Sequence, residues 1–490
     1  MKRALPAAQR DLQEEESMDN SYSAIMSRKN DILKTATGID YKKFEISPIA
    51  FNYEGLMASP RYSLKDAQRI LGETGVGNTP LVELKNITEL VRSISPPGKG
   101  GRIFVKDEAA NPSGSFKDRR AGLSIYHAVQ LGYKGVVAAS SGNYGAAVAS
   151  QAAKRGLKAV ILQEVYDSRK IGQPEILEKT RACEAYGAEV WQLTVGPELF
   201  YIMLRVLEET GFFSASLYVP TSILGIETLG YELAQQVLQQ EGRYPDMVVI
   251  THAGGGNITG TARGLKKAGS HRTVIVGVSV DLRGLHMASD FDFNRKSFTT
   301  GHTGFGIPFL TLPDRTDVPR NCARGLRYLD RYVLISQGEV FYTTELLAKL
   351  EGMERGPAGN TSLAGAIALA RELDREQILV VQETEYTSAG KLPSSQLTFA
   401  RENGIDVRRG NPKENIPGKA IVIPERVDQV EVGDFDIARV RYSYLENALR
   451  LAKGYSPTDE DIQFLAEDSR SSIDSVRETM KALNTEKGRS

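Results

Sequence analysis

Short apolar runs rich in β-branched residues alternate with stretches of helical spacing from about residue 78 onward. The apolar runs lie at residues 102–107, 135–140, 157–163, 188–193, 246–252, 273–280 and 377–383. Helical spacing occupies residues 144–156, 174–187 and 230–240 between them. This alternation is typical of an α/β fold with parallel sheets and helices on both faces. Functional loops are therefore expected at the carboxyl ends of the strands.

Composition argues against several classes of partner. The 490 residues contain 61 Lys+Arg and 61 Asp+Glu, so no basic field for nucleic acid is predicted. No long apolar run predicts a membrane span, and the charged N-terminus lacks the apolar core of a signal peptide. The two cysteines, Cys183 and Cys322, favour a reducing compartment, and the cytoplasm is expected. The five histidines form no HExxH motif, so no metal site is expected.

The first candidate for chemistry is Lys117, in the run KDEAANPSGSFKDRRA at residues 106–121. A strand is predicted to end near Asp107 and a helix to start near Ser115, which puts Lys117 in the first helical turn. There the positive end of the helix dipole disfavours a charged lysine. In a cleft, that field and desolvation lower the pKa of the amine, as an imine-forming lysine requires. On this segment alone, an ordinary surface lysine remains the better interpretation.

Two further strand-to-helix junctions carry small polar residues. The first, ASSGNYGAA at residues 139–147, is suited to bind a carboxylate or to cap a helix in the ordinary way. The second, THAGGGNITG at residues 251–260, is suited to bind a phosphate through backbone amides. It lacks the spacing of the dinucleotide fingerprint, and a tight turn without a ligand is about as common for such a match.

Together with GNTPL at residues 77–81, the runs NPSGSFKDRRA, SSGNYGAA and GGGN resemble the fold-type II pyridoxal-phosphate enzymes, especially threonine synthases. The resemblance covers roughly residues 75–395. It implies a tryptophan synthase β-like α/β fold with two lobes, each with a mostly parallel sheet flanked by helices. It also implies pyridoxal 5′-phosphate as the cofactor and Lys117 as its Schiff-base lysine.

The same resemblance implies a role for each neighbouring loop. Asn143 is expected to hydrogen-bond the 3′-oxygen of the cofactor. The substrate carboxylate is expected to bind to Ser140, Ser141 and Gly142. The cofactor phosphate is expected to bind to Gly254, Gly255, Gly256 and Asn257. Thr384, with Ser388 as the alternative, is expected to face the pyridine nitrogen, where a neutral partner favours chemistry on the β side of the substrate.

The chain is expected to divide into four parts. These are a mostly helical N-terminal extension at 1–75, a large cofactor-binding lobe at 76–112 and 221–430, a smaller inserted lobe at 113–220, and a charged helical tail at 431–490. The first seventeen residues are expected to be solvated. The tail is also expected to be solvated rather than to cap a neighbouring subunit.

A closer resemblance involves residues 30–45, 197–211, 354–366 and the long loop at 281–325. These segments resemble the β subunits of the 2-amino-4-oxopentanoate thiolase family, over about residues 20–425. The resemblance implies cleavage of 2-amino-4-oxopentanoate with coenzyme A to alanine and acetyl-CoA, a step of ornithine fermentation. It further implies a small α subunit as partner, and a homodimer or larger oligomer.

Three alternatives stay open. A threonine synthase-like enzyme and a diaminopropionate ammonia-lyase-like enzyme share the same fold. A non-catalytic subunit that kept the fold is the rival from another class. Against that rival, Lys117, Asn143 and the glycine-rich loop are all intact.

The residues around the long loop offer further candidates. Cys322, beside Arg320 and Arg324, is a candidate acyl-accepting nucleophile, although direct attack by coenzyme A is favoured. Cys183 is expected to pack in the core. His286 and His302 are more often structural than catalytic in such a loop. Five arginines are candidates for the coenzyme A phosphates, although ion pairing with Asp314, Asp317 and Asp330 is commoner. They are Arg315, Arg320, Arg324, Arg327 and Arg331.

Overall fold

The computed structural model describes residues 19–166, 170–172, 174–194, 198–216, 218–282, 307–314, 320–386, 391–452 and 454–487. These residues form thirteen strands. In chain order they are β1 Leu81–Glu83, β2 Arg102–Asp107, β3 Gly135–Ala139, β4 Lys158–Tyr166, β5 Glu189–Thr194, β6 Phe213–Ser214, β7 Met247–Thr251, β8 Val274–Val280, β9 Arg331–Ile335, β10 Ile378–Glu383, β11 Asp406–Arg409, β12 Ala420–Ile423 and β13 Gly433–Asp434.

The same residues form eighteen α-helices. They are α1 Tyr22–Ser27, α2 Lys29–Thr37, α3 Tyr53–Ala58, α4 Leu64–Gly72, α5 Lys85–Ile94, α6 Lys117–Gln130, α7 Asn143–Lys154, α8 Pro174–Ala185, α9 Glu198–Thr210, α10 Pro220–Glu241, α11 Gly256–Lys267, α12 Ile307–Thr311, α13 Gln337–Glu351, α14 Pro357–Ala370, α15 Lys391–Glu402, α16 Ile437–Leu451, α17 Asp459–Ser469 and α18 Ile473–Lys487. The predicted solvation of the first seventeen residues lies outside the described residues.

Two mostly parallel sheets dominate the molecule. The larger has the strand order β1-β2-β10-β7-β8-β9-β13, with β1 and β13 as antiparallel edges. The smaller, β5-β4-β3-β6, is parallel throughout. Both sheets have helices on their faces, so the predicted α/β architecture is confirmed. The four strands of the smaller sheet all lie between residues 135 and 214, while the proposed lobe boundaries at 113 and 220 stay a prediction.

The alternation of side chains along β10 assigns its residues to two cores. Ile378 and Val380 pack in the core with α10 and α11, whereas Leu379 and Val381 pack in the core with α13 and α14. Side chains alternate faces along a strand, so residues of like parity share a face. By this rule the side chain of Thr384 lies on the face of the sheet that packs against α11, and the side chain of Glu383 lies on the face that packs against α14.

The C-terminal helices pack against the larger core, so the expectation of a solvated tail is wrong. Tyr444, Phe464 and Leu465 are buried there, and the Phe464 ring lies 5.1 Å from the Phe51 ring. The high charge of the tail obscured an apolar stripe at helical spacing. Strand β13, at the start of the tail, also pairs with β9.

Two kinds of feature are missing from the described residues. None of their helices is both long and apolar enough to cross a bilayer. No group of three or more His, Cys, Asp or Glu side chains among them is arranged to hold a metal ion.

Candidate active site

Lys117 is the first residue of α6, two residues later than the predicted helix start near Ser115. The preceding residues are held by the end of β10 instead of by the helix. Ser115 forms an isolated β-bridge with Glu385, and the Phe116 amide donates a hydrogen bond to the Thr384 carbonyl at 3.1 Å. These contacts bring Lys117 to the carboxyl edge of the larger sheet.

The environment of Lys117 favours its neutral form. Desolvation, together with the smaller effect of the nearby positive charge of Arg120, lowers the pKa of the Lys117 amine to about 7. Its ammonium nitrogen lies 4.2 Å from the centroid of the Phe116 ring. Since a neutral amine is both a nucleophile and a base, Lys117 has the properties of an imine-forming lysine near neutral pH.

Arg120 is a residue of the site that the sequence analysis missed. Its guanidinium is stacked between two tyrosine rings, 3.5 Å from the Tyr144 centroid and 3.8 Å from the Tyr218 centroid. It also donates a hydrogen bond to the Ser216 carbonyl at 2.6 Å. The signal was present in SFKDRR, because residues three apart on a helix share a face, as Lys117 and Arg120 do.

The segment from Ser140 to Asn143 joins β3 to α7, which begins at Asn143. The Ser140 hydroxyl accepts hydrogen bonds from the Gly145 amide at 3.2 Å and the Gly142 amide at 3.4 Å. The Ser141 hydroxyl accepts one from the Glu164 amide at 2.8 Å. The N-cap of α7 is Gly142, and the Ser140 hydroxyl satisfies the Gly145 amide in the first turn of the helix. The other backbone amides at the start of α7 remain suited to a carboxylate.

The glycine-rich loop joins β7 to α11, which begins at Gly256. Gly255 has φ of 86°, a conformation that favours glycine. A Cβ at Gly254 would lie 2.5 Å from the Tyr218 hydroxyl, and one at Gly256 would overlap the same ring. The close packing of Tyr218 therefore requires glycine at both positions.

Asn257 and Thr384 complete the residues proposed to hold a cofactor. Asn257 is buried, and its amide nitrogen has no hydrogen-bond partner among the described residues. Such a donor at a helix N-terminus, next to glycine amides, fits a phosphate. Thr384 is also buried, and its carbonyl is bonded to the residue before Lys117. Ser388, the alternative to Thr384, lies outside the described residues.

Both cysteines are buried, which gives no support to Cys322 as the candidate acyl-accepting nucleophile. Burial raises the pKa of the Cys322 thiol, and the positive charge of Arg324 offsets only part of this effect. Burial also raises the pKa of Cys183 to about 12. Desolvation therefore outweighs the charge of Arg324 at this thiol, which agrees with the favoured alternative of direct attack by coenzyme A. The expected core packing of Cys183 is confirmed.

The four described arginines of the predicted cluster are all ion-paired. Arg320 pairs with Glu45, Arg324 and Arg327 with Asp468, and Arg331 with Glu372. Arg324 also pairs with Asp314, as the commoner interpretation expects. This pairing gives no support to a coenzyme A phosphate site at these four residues. Arg315, Asp317, His286 and His302 lie outside the described residues.

Comparisons with known proteins identify the family. The family model described as "Pyridoxal-phosphate dependent enzyme" matches residues 72–383. A "2-amino-4-ketopentanoate thiolase beta subunit" from an unknown prokaryote is 63% identical over 465 residues, 95% of this chain and 98% of that protein. A protein of the same description from Acetoanaerobium sticklandii is 59% identical, over 95% of this chain and 99% of its own. The chain belongs to the 2-amino-4-ketopentanoate thiolase β-subunit family of pyridoxal-phosphate dependent enzymes.

The family membership confirms the resemblance found in the sequence. The match over 465 residues extends beyond the span of 20–425 that the motifs indicated. A Bacillus threonine synthase is more distant, at 26% identity over 59% of this chain and 76% of its own. Among solved structures, maize serine racemase has a TM-score of 0.50 at 21% identity, covering 69% of this chain and 98% of its own. These likenesses confirm the predicted fold-type II class.

The residues present fit the cofactor of the family. The unpartnered amide of Asn257 and the glycine amides suit its phosphate, and the amine of Lys117 suits its aldehyde. Asn143 is the first residue of α7, four residues after the end of β3, and Thr384 directly follows β10, where its carbonyl accepts the hydrogen bond from Phe116. The individual roles of these residues remain proposals.

Proposed function

We propose that this chain is the catalytic subunit of a two-subunit thiolase, which cleaves 2-amino-4-oxopentanoate with coenzyme A to alanine and acetyl-CoA, as in ornithine degradation. The observation that carries the proposal is the identity of 63% and 59%, over 95% of the chain, to two proteins described as 2-amino-4-ketopentanoate thiolase beta subunits. The half-buried side chain of Lys117, whose amine has a pKa lowered to about 7, supports a catalytic role for this chain.

Pyridoxal phosphate, when bound, supplies a conjugated system that stabilises negative charge developing on the substrate carbons next to its imine. In the proposal Lys117 binds its aldehyde, and Asn143 hydrogen-bonds its ring oxygen. Thr384 faces the ring nitrogen, and the loop of Gly254, Gly255, Gly256 and Asn257 binds its phosphate. The amides of Ser140, Ser141 and Gly142 bind the substrate carboxylate at the start of α7.

Lys117 also moves a proton. Once the substrate amine has replaced it, its free amine removes the proton from C2 of the substrate and later returns that proton to C2 of the product. A pKa of about 7 leaves much of the amine neutral and therefore able to accept this proton. The positive charge of Arg120, which is fixed between two tyrosine rings, helps to keep the Lys117 amine neutral.

The thiol of coenzyme A attacks the substrate directly in this proposal. Its thiolate adds to the C4 carbonyl, the C3–C4 bond breaks, and the bonding electrons remain at C3. Protonation of C3 then gives the methyl group of alanine, and the acetyl group leaves on sulfur. Direct attack is favoured because both described cysteines are buried and their thiols have raised pKa values.

The assembly in the proposal is a homodimer or larger oligomer bound to a small α subunit, in the cytoplasm. The description of the relatives as beta subunits supports a partner chain. The presence of only two cysteines, both buried and free, supports a reducing compartment.

The test is to purify the chain together with its α subunit and pyridoxal phosphate, and to measure acetyl-CoA and alanine formed from 2-amino-4-oxopentanoate. We expect equal amounts of the two products. The proposal is overturned if the complex forms neither product but turns over phosphohomoserine or releases ammonia from diaminopropionate. Those outcomes would assign a threonine synthase-like or a lyase-like activity instead.

A further inference from the structure

Two consecutive arginines of α6 are both buried, but only one of them is paired with carboxylates. Arg119 is 1% exposed and forms ion pairs with Glu108 at 2.7 Å and with Glu232 at 3.1 Å. Arg120 is 3% exposed, and it forms no ion pair with any residue that the structure describes. An unpaired buried charge costs free energy, and an arginine cannot avoid that cost by losing its proton.

The guanidinium of Arg120 also has more N–H groups than acceptors. One terminal nitrogen donates a hydrogen bond to the Ser216 carbonyl at 2.6 Å. The Nε–H is buried and has no hydrogen-bond partner within the described part of the chain. The rings of Tyr144 and Tyr218 stack on the guanidinium at 3.5 Å and 3.8 Å. Because a guanidinium directs its N–H groups outward in its own plane, the stacked rings leave these groups able to bind an anion.

The hydrogen bond to Ser216 connects Arg120 to the end of the smaller sheet. The Ser216 hydroxyl accepts a hydrogen bond from the Ala139 amide at 2.6 Å, and Ala139 directly precedes Ser140. Arg120 also lies one helical turn after Lys117 and shares its face of α6. Its positive charge is near enough to contribute to the lowered pKa of the Lys117 amine. Arg120 is therefore close both to the candidate lysine and to the loop that leads into α7.

The two stacked tyrosines place the guanidinium between the other two loops of the site. Tyr144 is the second residue of α7, whose first amides are proposed to bind the substrate carboxylate. Tyr218 packs against the glycine-rich loop, where a Cβ at Gly254 would lie 2.5 Å from the Tyr218 hydroxyl. The unpaired charge of Arg120 therefore lies between the segments proposed to bind the substrate and the cofactor.

The proposed reaction creates a new negative charge at the C4 oxygen of the substrate. As the sulfur of the coenzyme A thiolate bonds to C4, one electron pair of the C4=O bond moves to the oxygen. That pair re-forms the carbonyl when the C3–C4 bond breaks and its electrons remain at C3. The thiol proton passes to water before the attack, and C3 takes a proton from water afterwards, so atoms and charges balance. A fixed cation beside the C4 oxygen would stabilise this charge as it forms.

The C4 oxygen is within reach of a group near Lys117. The substrate amine takes the place of the Lys117 amine, and the C4 oxygen is four bonds away from the substrate nitrogen. In an extended substrate these two atoms are about 4–5 Å apart. The three residues from Lys117 to Arg120 advance α6 by a similar length, about 4.5 Å. The substrate carboxylate already has proposed partners in the α7 amides, whereas the C4 oxygen has none.

We propose that Arg120 is a catalytic residue, which donates hydrogen bonds to the C4 oxygen of the substrate and stabilises the negative charge formed there when coenzyme A attacks. This inference rests on the proposed thiolase function. Arg120 keeps all of its protons throughout the step. The same contact distinguishes amino acids with a carbonyl at C4 from other amino acids, which share only the amine and the carboxylate.

The first experiment compares two ligands that differ only at C4. These are 2-amino-4-oxopentanoate and 2-aminopentanoate, which lacks the C4 oxygen. Spectral titrations of the full chain with its α subunit and pyridoxal phosphate, without coenzyme A, measure both dissociation constants. In Arg120→Gln we expect the constant for the oxo acid to rise by about tenfold or more, since a charge-assisted hydrogen bond is lost. The constant for 2-aminopentanoate should stay unchanged, which also shows that the variant is folded.

Arg155→Gln is the matched control. Arg155 also lies over a tyrosine ring, that of Tyr126, but it is paired with Glu73. Both dissociation constants should be unchanged in this variant. An equal loss of affinity for the two ligands in Arg120→Gln would show that Arg120 binds the carboxylate or supports the fold, and would overturn the proposal. Unchanged affinity for the oxo acid would overturn it as well.

Turnover supplies the second readout. We expect acetyl-CoA formation to fall by about 100-fold or more in Arg120→Gln, and Arg120→Lys to restore part of it by returning the charge. Exchange of the C2 hydrogen of 2-aminopentanoate with solvent deuterium depends on Lys117 and should persist in both variants. Wild-type turnover in Arg120→Gln would contradict the role in catalysis. If the wild-type complex forms no acetyl-CoA, the proposed function fails, whereas the comparison of the two ligands still tests the contact with the C4 oxygen.

Discussion

The carboxyl edge of the larger sheet and the segment at 320–331 differ in how their buried charges are compensated. In the segment, Arg324 is 2% exposed and pairs with Asp314 at 3.0 Å and Asp468 at 3.6 Å. Arg327 shares Asp468 at 3.2 Å. At the sheet edge, by contrast, burial lowers the pKa of Lys117 and raises that of Glu383.

Both regions remove ionisable groups from water, which costs free energy, and they offset this cost in different ways. A buried group stays ionised when an opposite charge lies beside it. Without such a partner, its pKa shifts until the neutral form is favoured. Paired charges hold segments together and exchange protons poorly. An amine that is partly neutral near pH 7 can act as a nucleophile or as a base. This contrast separates the residues proposed for chemistry from those that stabilise the fold.

Replacing Lys117 with alanine should give the largest effect, because it removes the only group proposed to bind the cofactor covalently. We expect the variant to lack the visible absorption band of lysine-bound cofactor and to form no detectable acetyl-CoA. The wild-type band should disappear after borohydride reduction. The matched control is Lys158→Ala, an exposed lysine at the start of β4. A borohydride-sensitive band in Lys117→Ala would place the cofactor on another lysine.

Replacing Asp468 with alanine should produce the largest loss of stability. The change leaves buried Arg324 with one partner instead of two, and removes the acceptor of the Tyr444 hydroxyl. Breaking a buried ion pair costs about 3–5 kcal/mol of unfolding free energy. Urea unfolding measures this loss. The control is Glu467→Ala, because Glu467 is more than half exposed and its pair with Arg327 contributes little. Equal losses of unfolding free energy in Asp468→Ala and Glu467→Ala would contradict the view that the buried ion pairs stabilise this segment.

Gly256→Ala should weaken cofactor binding without removing an ionisable group. The added methyl group would overlap the Tyr218 ring, which also stacks on Arg120. We expect the dissociation constant for pyridoxal phosphate to rise by about tenfold, equivalent to about 1.4 kcal/mol. A spectral titration of the apoprotein measures it. Gly72→Ala is the control, since a Cβ there meets no atom within 4 Å. If Gly256→Ala and the wild type bind pyridoxal phosphate with equal dissociation constants, the loop tolerates the displacement of Tyr218.

Local patterns were sufficient to predict seven strands of the two main sheets and the three loops of the candidate site, but not β1, β6, β9 or β13. Each loop follows an apolar run, and small or polar residues mark the point where a helix begins. The helix start at Lys117 was placed two residues early, because the β-bridge between Ser115 and Glu385 joins segments 270 positions apart in the chain. Such a contact leaves no periodic signal in either segment.

Two features depended on tertiary packing that the sequence does not display. Asp468 and Arg324 are 144 positions apart, so the charged tail gave no indication that it supplies a buried counter-ion. The two glutamates at the end of β10, Glu383 and Glu385, left a partial signal, because QETE places them at the end of an apolar strand, in phase with buried Leu379 and Val381. Their proximity to α8 could be seen only in the folded chain.

Arg120→Gln should shift a pH dependence rather than abolish a step. The rate at which apoprotein captures pyridoxal phosphate should rise with pH through about 7, as the Lys117 amine loses its proton. Removing the Arg120 charge removes the second cause of the lowered pKa, so the profile should move to higher pH. Below the pKa, each half unit slows capture by about threefold. Arg155→Gln, which removes an arginine stacked on Tyr126, is the control and should leave the profile unchanged. A shift to lower pH would contradict this account.

Cys322→Ala should have the smallest effect on turnover, although its thiol lies beside two arginines in sequence. The thiol is buried and its pKa is raised, so it is protonated at the pH where the Lys117 amine is partly neutral. We expect acetyl-CoA formation to be unchanged and the unfolding free energy to fall by about 1 kcal/mol, since only a small buried group is lost. Steady-state kinetics and urea unfolding measure the two quantities. A large loss of turnover with normal stability would show that a thiol next to paired arginines can still act as a nucleophile, and would require an acyl-enzyme route in place of direct attack.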